Sequence, residues 1–342
     1  MLRLGVGAAA LASPHVFAQS AQMEEELVFA GDPGITHQLI EREIFPEFAR
    51  RYGVKKLTYV PSPASENVAR LRTQRGRPTI DVIAFAGATM FQAMGENLVA
   101  PLDLQRLPNA IAIPEARRAD AQMLPYALST VGLLYNTTIF QQRNFASPTS
   151  WWDLWDTKFR GHTGLLTINS TSTVATLAFL SQQLSGDYMN FDAALARLRG
   201  LKANVYDFFP SSGPMDTLVQ QGELWMWSHI GSRGIQYMNA GFPARFVIPK
   251  EGLPGYEACL GVVEGAPHPR VAYAWVNHLL SLEVQEIFAT RIGITPMHPG
   301  VVVPEALRPY LPRYDQVWIP DWRRLSAALP TIVARWNREV ER

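Results

Sequence analysis

Five turns rich in Gly, Ser, Asn and Thr follow short apolar runs in this sequence, and they carry most of the residues that could bind a ligand. The turns are 31–34, 62–65, 86–89, 169–172 and 211–213. Where such a turn joins a strand to a helix, the first N–H groups of the helix have no helical partner and can bind a polar or anionic group. The same residue types also cap helices for stability alone. Only the convergence of several turns on one cleft would indicate a binding site.

Charged and aromatic side chains near these turns suggest what a bound solute would carry. His229 and Arg233 are possible cations, and a guanidinium can form paired hydrogen bonds with a carboxylate or phosphonate. Asp32 and Glu257 could instead hold an amine. We therefore expect an anionic or zwitterionic ligand; in the alternative, Arg233 begins a helix and faces solvent. The predicted ligand-binding residues are Asp32, Ser62, Ser65, Ala86, Asn169, Ser170, Phe209, Ser211, Trp227, His229, Arg233, Tyr256 and Glu257.

The sequence contains no recognisable pattern of a catalytic or metal site. The histidines are scattered without metal-ligand spacing, and there is no G-x-S-x-G elbow and no P-loop. We therefore predict no catalytic residue, no metal and no cofactor. Cys259, the one cysteine, lies in the apolar run Ala258-Cys259-Leu260-Gly261-Val262-Val263, which predicts a buried thiol. An enzyme that uses Cys259 in a cleft of the same fold is the alternative.

The length and the N-terminal sequence of the chain predict an exported protein of two units. A chain of 342 residues generally divides into two units. The formal net charge of +1 comes with interspersed acids and bases, so no basic patch for nucleic acid is expected. Arg3 is followed by a short apolar run and by Val16-Phe17-Ala18, which is typical of a signal peptide cleaved after about Ala18. We expect a soluble periplasmic protein.

Short apolar runs alternate with amphipathic segments after the predicted cleavage point, which favours an α/β fold with mainly parallel sheets. The predicted strands are 27–30, 57–60, 80–85, 130–135, 165–168, 204–206, 224–227, 245–248 and 259–263. Long helices are expected at 271–291 and 322–340. The predicted division is a signal peptide at 1–18, a first lobe at 24–127 and 229–294, and a second lobe at 128–228 and 295–342.

In order and spacing, several short motifs of this chain are similar to those of one family. They are LVFAG (27–31), FPEF (45–48), DVI (81–83), LPY (124–126), TSWWDLW (149–155), FRG (159–161), GELWMW (222–227), PKEG (249–252) and GITP (293–296). The chain resembles the bacterial extracellular solute-binding proteins of the spermidine/putrescine type, which are type II periplasmic binding proteins. The resemblance covers nearly all of the sequence after the predicted cleavage point.

The resemblance implies two lobes, each with a mixed, mainly parallel sheet flanked by helices, and a ligand cleft between them. It implies a monomer that captures a small solute by hinge closure and delivers it to the permease and ATPase of an ABC importer in the inner membrane. Polyamine binding is the alternative within the family. The positions that match the carboxylates of polyamine binders are Gly34, Asn169, Ser172 and His229, none of them acidic. This favours the anionic or zwitterionic ligand.

Overall fold

The computed structural model describes residues 23–113 and 122–341 of the chain, so the predicted signal peptide at 1–18 lies outside the described residues. Within them, strands alternate with helices, as the apolar runs predict. The strands are β1 (Glu26–Gly31), β2 (Lys56–Pro61), β3 (Val82–Ala86), β4 (Leu124–Asn136), β5 (Thr163–Leu166), β6 (Val205–Phe209), β7 (Met226–Ile230), β8 (Ala244–Val247), β9 (Leu253–Val262), β10 (Thr295–Pro296) and β11 (Val317–Trp318).

The helices follow the strands in the order of an α/β protein. The α-helices are α1 (Ile35–Leu39), α2 (Phe45–Tyr52), α3 (Ala64–Thr73), α4 (Ala88–Gly95), α5 (Pro108–Ile111), α6 (Thr137–Gln142), α7 (Thr171–Ser185), α8 (Asp192–Leu201), α9 (Ser212–Gln220), α10 (Gly231–Asn239), α11 (Pro269–Leu279), α12 (Leu282–Ile287) and α13 (Trp322–Trp336). A π-helical turn, Ile40–Ile44, joins α1 to α2. Two more follow α12 and α13, at Phe288–Ile292 and Asn337–Glu341.

The first lobe is built on a sheet with the strand order β2-β1-β3-β9-β4. β1 pairs in parallel with β2 and β3, whereas β9 runs antiparallel to β3 and β4. Leu27 and Phe29 of β1 belong to one hydrophobic core, while Val28 and Ala30 pack into another. A strand with both faces covered needs no polar face, which explains the apolar run Leu27–Ala30 within β1.

The second lobe is built on β4-β7-β5-β6, with β8 paired to the other side of β4. β5 runs parallel to β6 and β7. Its central helix, α7, is buried over ten consecutive residues, Ser172–Ser181. A helix that is covered on all sides loses its amphipathic pattern, which explains the mixed sequence of α7.

The strand β4 passes from one lobe to the other. Its first half, Leu124–Thr130, pairs with β9 in the first-lobe sheet, and Val131–Tyr135 pairs with β7 in the second-lobe sheet. The chain returns along β9, whose residues 258–262 pair with β3. The predicted return at residue 228 is wrong, because β8 pairs with Leu133–Asn136 of β4. β8 therefore extends the second-lobe sheet, and α10, which precedes it, packs against β4 and β8.

Of the two long helices predicted near the C-terminus, the first is divided into two helices and the second begins where predicted. The helix predicted at 271–291 is divided into α11 and α12, and the hydroxyl of Ser281 accepts a hydrogen bond from the N–H of Val284 to begin α12. α13 begins at Trp322, as predicted, and packs into the second-lobe core through Leu325 and Ile332. The hydroxyl of Ser326 also donates to the carbonyl of Ala88 in the first lobe, so α13 contacts both lobes.

Candidate ligand-binding cleft

A cleft of about 370 Å³ lies between the lobes, where β1, β3, β6 and β7 end. Its volume is within the range of about 300–1,000 Å³ that is common for small-molecule sites. The first lobe contributes residues 32–36, Ala86 and Ala258. Tyr126, Ser129 and Tyr256 come from the crossing strands. The second lobe contributes Ser212, Ile230, Ser232, Arg233 and Gln236. From the predicted set, Asp32, Ala86, Arg233 and Tyr256 therefore line one cleft.

Three helices begin at the cleft, and none of their N-cap side chains bonds to the first helical turn. The helices are α1, α9 and α10, with the N-cap residues Gly34, Ser211 and Ile230. Side-chain caps are present at α6, α12 and α13, through Asn136, Ser281 and Asp321, whereas α2, α3, α4, α5, α7, α8 and α11 lack them as the cleft helices do. Ser211 is a residue type that commonly caps helices, and here it does not. The first N–H groups of α9 and α10 are thus offered to the cleft.

Arg233 is held in a network on the second-lobe wall. One guanidinium nitrogen, Nη1, donates to Gln236 Oε1 at 2.7 Å and lies 3.4 Å from Asp216 Oδ2. Asp216 also accepts a hydrogen bond from the Tyr237 hydroxyl. Arg233 Nε is buried and has no hydrogen-bond partner among the described residues. The guanidinium is therefore fixed in place with donor capacity left over, and the alternative of a solvent-facing arginine is wrong.

His229 lies beside Arg233 but does not add a second charge. Its side chain is buried, and burial, helped by the neighbouring Arg233, lowers the pKa of His229 to about 3. The ring is neutral near pH 7, so its prediction as a cation is wrong. It instead contacts the Ser212 hydroxyl at 2.9 Å and accepts a hydrogen bond from the N–H of Ile230 at 2.8 Å.

Asp32 faces this network from the first-lobe wall. Its side chain is exposed at the cleft and has no hydrogen bond or ion pair within the described residues, and the protein atoms that displace part of its water raise the pKa of Asp32. Tyrosines surround it: the Tyr59 hydroxyl donates to the Asp32 carbonyl at 2.9 Å, and Tyr126 and Tyr256 line the cleft. Burial, with a contribution from Asp32, raises the pKa of Tyr256 to about 12, so this phenol stays neutral.

The sequence profile of the bacterial extracellular solute-binding proteins matches residues 43–308 of the chain. The chain belongs to this family. Its members bind solutes outside the cytoplasm, in agreement with a binding protein of the type expected from the sequence. Among residues 23–113 and 122–341, no helix has both the length and the apolar character that a membrane crossing requires.

Named relatives and solved structures of solute-binding proteins align over most of the chain. A Salmonella typhi protein, named as a candidate 2-aminoethylphosphonate-binding periplasmic protein, is 25% identical over 311 residues, 87% of this chain and 86% of the relative. A spermidine/putrescine-binding periplasmic protein of Haemophilus influenzae is 25% identical over 260 residues, 73% of this chain and 70% of the relative. A periplasmic binding protein of Actinobacillus pleuropneumoniae with fructose-6-phosphate superposes with a TM-score of 0.76 at 18% identity, covering 93% of this chain and 99% of that one. The two-lobed fold predicted from the sequence is confirmed.

The predicted binding turns 62–65 and 169–172 do not line the cleft of this solute-binding protein. The Ser62 hydroxyl is buried and donates to Asn67 Oδ1 at 2.6 Å, while Ser65 lies on the exposed side of α3. Asn169 is exposed, and the Ser170 hydroxyl bonds to that of Ser172 at 2.7 Å. The hydroxyl of Ser62 is thus occupied by a residue of α3, and that of Ser170 within its own turn.

The turns 86–89 and 169–172 instead meet across the lobes. Gly87 has a φ of 55°, and a Cβ placed on it would lie 2.6 Å from Thr171 Cγ2 and 3.1 Å from the Trp322 ring. Such a close approach in the left-handed region requires glycine. Residue 87 is therefore the point where the first lobe touches the start of α7 and of α13.

The aromatic residues predicted to contact ligand are in the second-lobe core. Trp227, the aromatic residue we expected at the ligand, is completely buried and meets Tyr237 edge-on, with ring centroids 5.7 Å apart. Phe209 is buried in the same cluster. Because side chains alternate along β7, Trp227 and His229 point to the same face of the strand, under α9 and α10. Neither Trp227 nor Phe209 lines the cleft.

Cys259 and Glu257 lie on β9 behind the first-lobe wall. Cys259 is fully buried and pairs with Phe85 of β3, and burial, with Glu257 as a smaller cause, raises its pKa well above the usual range. The prediction of a buried thiol is confirmed. Glu257 is half-buried, pairs with Leu128 of β4, and does not line the cleft.

Sequence reasoning missed several polar residues of the cleft. The predicted set contains Ser211, which is exposed, and omits its neighbour Ser212, which lines the cleft. Gln236 lies three residues after Arg233, a spacing that places both on one face of a helix and could have identified it. Tyr126 and Ser129 lie on a crossing strand, and no local signal in the sequence distinguishes them from other strand residues.

A larger cavity, of about 530 Å³, lies between α4 and α13. Its polar side chains are few, and Ser326 and Glu96 already have protein partners, namely the carbonyl of Ala88 and the guanidinium of Arg72. The smaller cleft at the strand ends combines uncapped helices with charged groups from both lobes. The smaller cleft is therefore the candidate site.

Proposed function

We propose that this protein captures a small zwitterionic or anionic solute in the interlobe cleft and delivers it to the permease of an ABC importer. The observation that carries the proposal is the division of charge across the cleft. Arg233, Ser212 and two uncapped helix starts form one wall, and Asp32 with its tyrosines forms the other.

The second-lobe wall supports an acid group on the solute. A guanidinium forms strong, directional hydrogen bonds with carboxylate and phosphonate oxygens. Helix N-termini add favourable interaction with negative charge, typically about 0.3–1 kcal/mol when exposed and up to about 2 when partly buried. Because Asp216 and Gln236 hold Arg233 in place, little side-chain entropy is lost when the solute binds.

The first-lobe wall supports an amine at the other end of the solute. The raised pKa of Asp32 indicates that its ionised form is disfavoured in the solute-free cleft. A bound ammonium group would supply the missing partner, and Tyr126 and Tyr256 line the same part of the cleft. A small amino acid or aminophosphonate has both groups, and a curated relative is named for 2-aminoethylphosphonate.

A polyamine is the second candidate, because other relatives are named for spermidine and putrescine. A dication would need acidic groups at both ends. Among the residues that line the cleft, Asp32 is the one acid, and Arg233 would repel the second ammonium. The charges of the cleft therefore favour a solute with one amine at most.

Capture would follow the mechanism that the resemblance implies. The two lobes are joined by the crossing strands β4 and β9, so that a solute bound to both walls favours the closed arrangement. Export of the chain with removal of residues 1–18 would place the protein in the periplasm, as a monomer able to meet an inner-membrane permease and its ATPase.

A ligand panel tests this proposal directly. Thermal shift and calorimetry on the mature protein would compare 2-aminoethylphosphonate, 3-aminopropanoate, phosphate and putrescine, since a solute that binds the folded state raises Tm by mass action. We expect the zwitterions to bind most tightly. X-ray scattering with the bound solute should show a smaller radius of gyration. Tight binding of putrescine with no binding of the acids would reject the proposed solute, and an unchanged radius would reject closure.

A further inference from the structure

The buried His229 makes two hydrogen bonds that together fix the orientation of a cleft hydroxyl. The backbone N–H of Ile230 donates to His229 Nδ1 at 2.8 Å, and Nε2 lies 2.9 Å from Ser212 Oγ. A ring nitrogen that accepts a hydrogen bond carries no proton, so the proton of the neutral ring is on Nε2. His229 therefore donates, and Ser212 Oγ accepts.

The Ser212 hydroxyl has one proton, and this arrangement leaves that proton for another acceptor. Within the described residues no second partner of the Ser212 side chain is present, and Ser212 lines the cleft. The reverse orientation, with Ser212 donating to Nε2, would put a proton on Nδ1 facing the N–H of Ile230. Two donors facing each other at 2.8 Å are unfavourable, so the backbone selects the tautomer.

The side chain of Gln236, on the same wall, is also oriented by a hydrogen bond within the protein. Its amide oxygen accepts a hydrogen bond from Arg233 Nη1 at 2.7 Å, which leaves the amide N–H₂ group as the part available to the cleft. Asp216, the acid nearest to Arg233, is engaged by Arg233 and by the Tyr237 hydroxyl. The acceptor atoms of Ser212, Gln236 and Asp216 are thus engaged by protein donors.

We propose that His229 is a positioning residue: it turns the Ser212 hydroxyl proton into the cleft, so that Ser212, Gln236 and Arg233 form a wall of donors only. Such a wall selects a solute group whose oxygens all accept, namely a fully ionised carboxylate or phosphonate, over an amide, an alcohol or an ammonium group. The inference rests on the proposed function, because it specifies how the acid end of the solute is recognised.

Nitrogen-15 NMR of the mature protein tests the tautomer without any ligand. We expect the His229 ring to show a protonated Nε2 and an unprotonated Nδ1. A ring protonated on Nδ1 would overturn the proposal, whatever the protein binds. If the wild type bound none of the four solutes of the panel, the proposed function would fail, and this measurement would still decide the role of His229.

Calorimetry with 2-aminoethylphosphonate, or with the tightest binder of the panel, tests the consequence for affinity. Ser212→Ala should weaken binding about 10-fold or more, because a hydrogen bond to a charged group is lost. His229→Phe should weaken it several-fold, whereas His229→Gln, whose amide N–H₂ can occupy the position of Nε2, should restore most of the affinity. Thr217→Ala, an exposed hydroxyl on the same helix, is the matched control and should bind as the wild type does.

The double variant distinguishes positioning from general stability. If His229 acts through Ser212, adding His229→Phe to Ser212→Ala should cause no further loss of affinity. Independent, additive losses would show that His229 is only structural and would overturn the proposal. Full affinity of Ser212→Ala would overturn it as well, and this variant, at a partly exposed helix start, remains informative if His229→Phe fails to fold.

Discussion

The two walls of the cleft carry opposite charges and differ in how those charges are held. On the second-lobe wall, Arg233 is bound by Asp216 and Gln236, and Ser212 is bound by His229. On the first-lobe wall, the carboxylate of Asp32 has no such partner within the described residues, and its pKa is raised.

Because the two walls hold their charges differently, we expect them to contribute differently to affinity and to selectivity. A wall whose side chains are already held loses little conformational entropy on binding, so its hydrogen bonds contribute directly to affinity. A carboxylate without a partner contributes only when the solute brings a cation. We therefore expect the second-lobe wall to determine how tightly an acid binds, and Asp32 to determine whether an amine is preferred.

Replacing Arg233 should produce the largest effect. Arg233→Ala should weaken binding of an acidic solute about 10- to 150-fold, the equivalent of about 1.5–3 kcal/mol, because it removes a charged donor. The variant also leaves Asp216 without its cation, which adds repulsion. Calorimetry should show partial recovery in Arg233→Ala/Asp216→Asn. Wild-type affinity in Arg233→Ala would contradict the role given to the second-lobe wall.

Gly87→Ala should disturb the contact through which the walls approach each other. The new Cβ would meet Thr171 and Trp322, and a φ of 55° costs a residue other than glycine about 1–2 kcal/mol. The strain from φ is the same in the open and the closed protein, so only the clash between the lobes can shift the closure equilibrium; if closure requires this contact, the closed population and the apparent affinity should both fall. Scattering should then show a larger radius with solute present. Gly95→Ala on the same helix, where a Cβ meets nothing within 4 Å, is the control and should behave as wild type.

The sequence predicted the strands better than it predicted which sheet each one joins. β1 is covered on both faces, and its apolar run was readable without knowing its neighbours. β8, which includes the exposed Arg245, could also be recognised as a strand, yet its partner is the second half of β4, and pairing between distant segments leaves no local signal. The predicted return to the first lobe at residue 228 was wrong for that reason.

Prediction of the candidate site from the sequence was limited in the same way. Asp32 and Arg233 were predicted because charged residues beside strand-to-helix turns are readable in the sequence. The neutral state of His229 depends on burial by α9 and α10, and the burial of Trp227 depends on the same helices. Neither can be read from neighbouring residues, because both arise when distant segments pack together.

Asp32→Asn should separate selectivity from affinity. For a solute with an amine and an acid, such as 2-aminoethylphosphonate, we expect a loss of several-fold to about tenfold, within the range of an ion pair removed from water. For phosphate, which has no amine, we expect no loss. Calorimetry with both solutes on one preparation checks this. Equal losses for the two solutes would show that Asp32 maintains the cleft and does not recognise an amine.

Cys259→Ser should leave binding of every solute unchanged. The thiol lies one residue beyond Ala258, a lining residue, but is itself fully buried. The introduced hydroxyl would be buried in an apolar cluster, so we expect a loss of about 1–3 kcal/mol in unfolding free energy and no other change. Denaturant unfolding and calorimetry check this. Conversion of a bound solute by the wild type but not by this variant would support an enzyme.

The smallest effect is a difference in how the two walls respond to pH in the ligand-free protein. The pKa of His229 in the folded state, about 3, lies below its unfolded value of 6.5, so the folded state binds fewer protons between these values. His229 therefore reduces stability as pH falls from about 6.5 toward 3. The folded pKa of Asp32 lies above its unfolded value of 3.8, so Asp32 reduces stability as pH rises through that higher pKa.

Relative to the wild type, His229→Gln should lose less stability on acidification, and Asp32→Asn should lose less as pH rises above about 4. Denaturant unfolding between pH 3 and pH 8 measures both slopes, and equal slopes in the three proteins would mean that the walls do not differ in the way proposed.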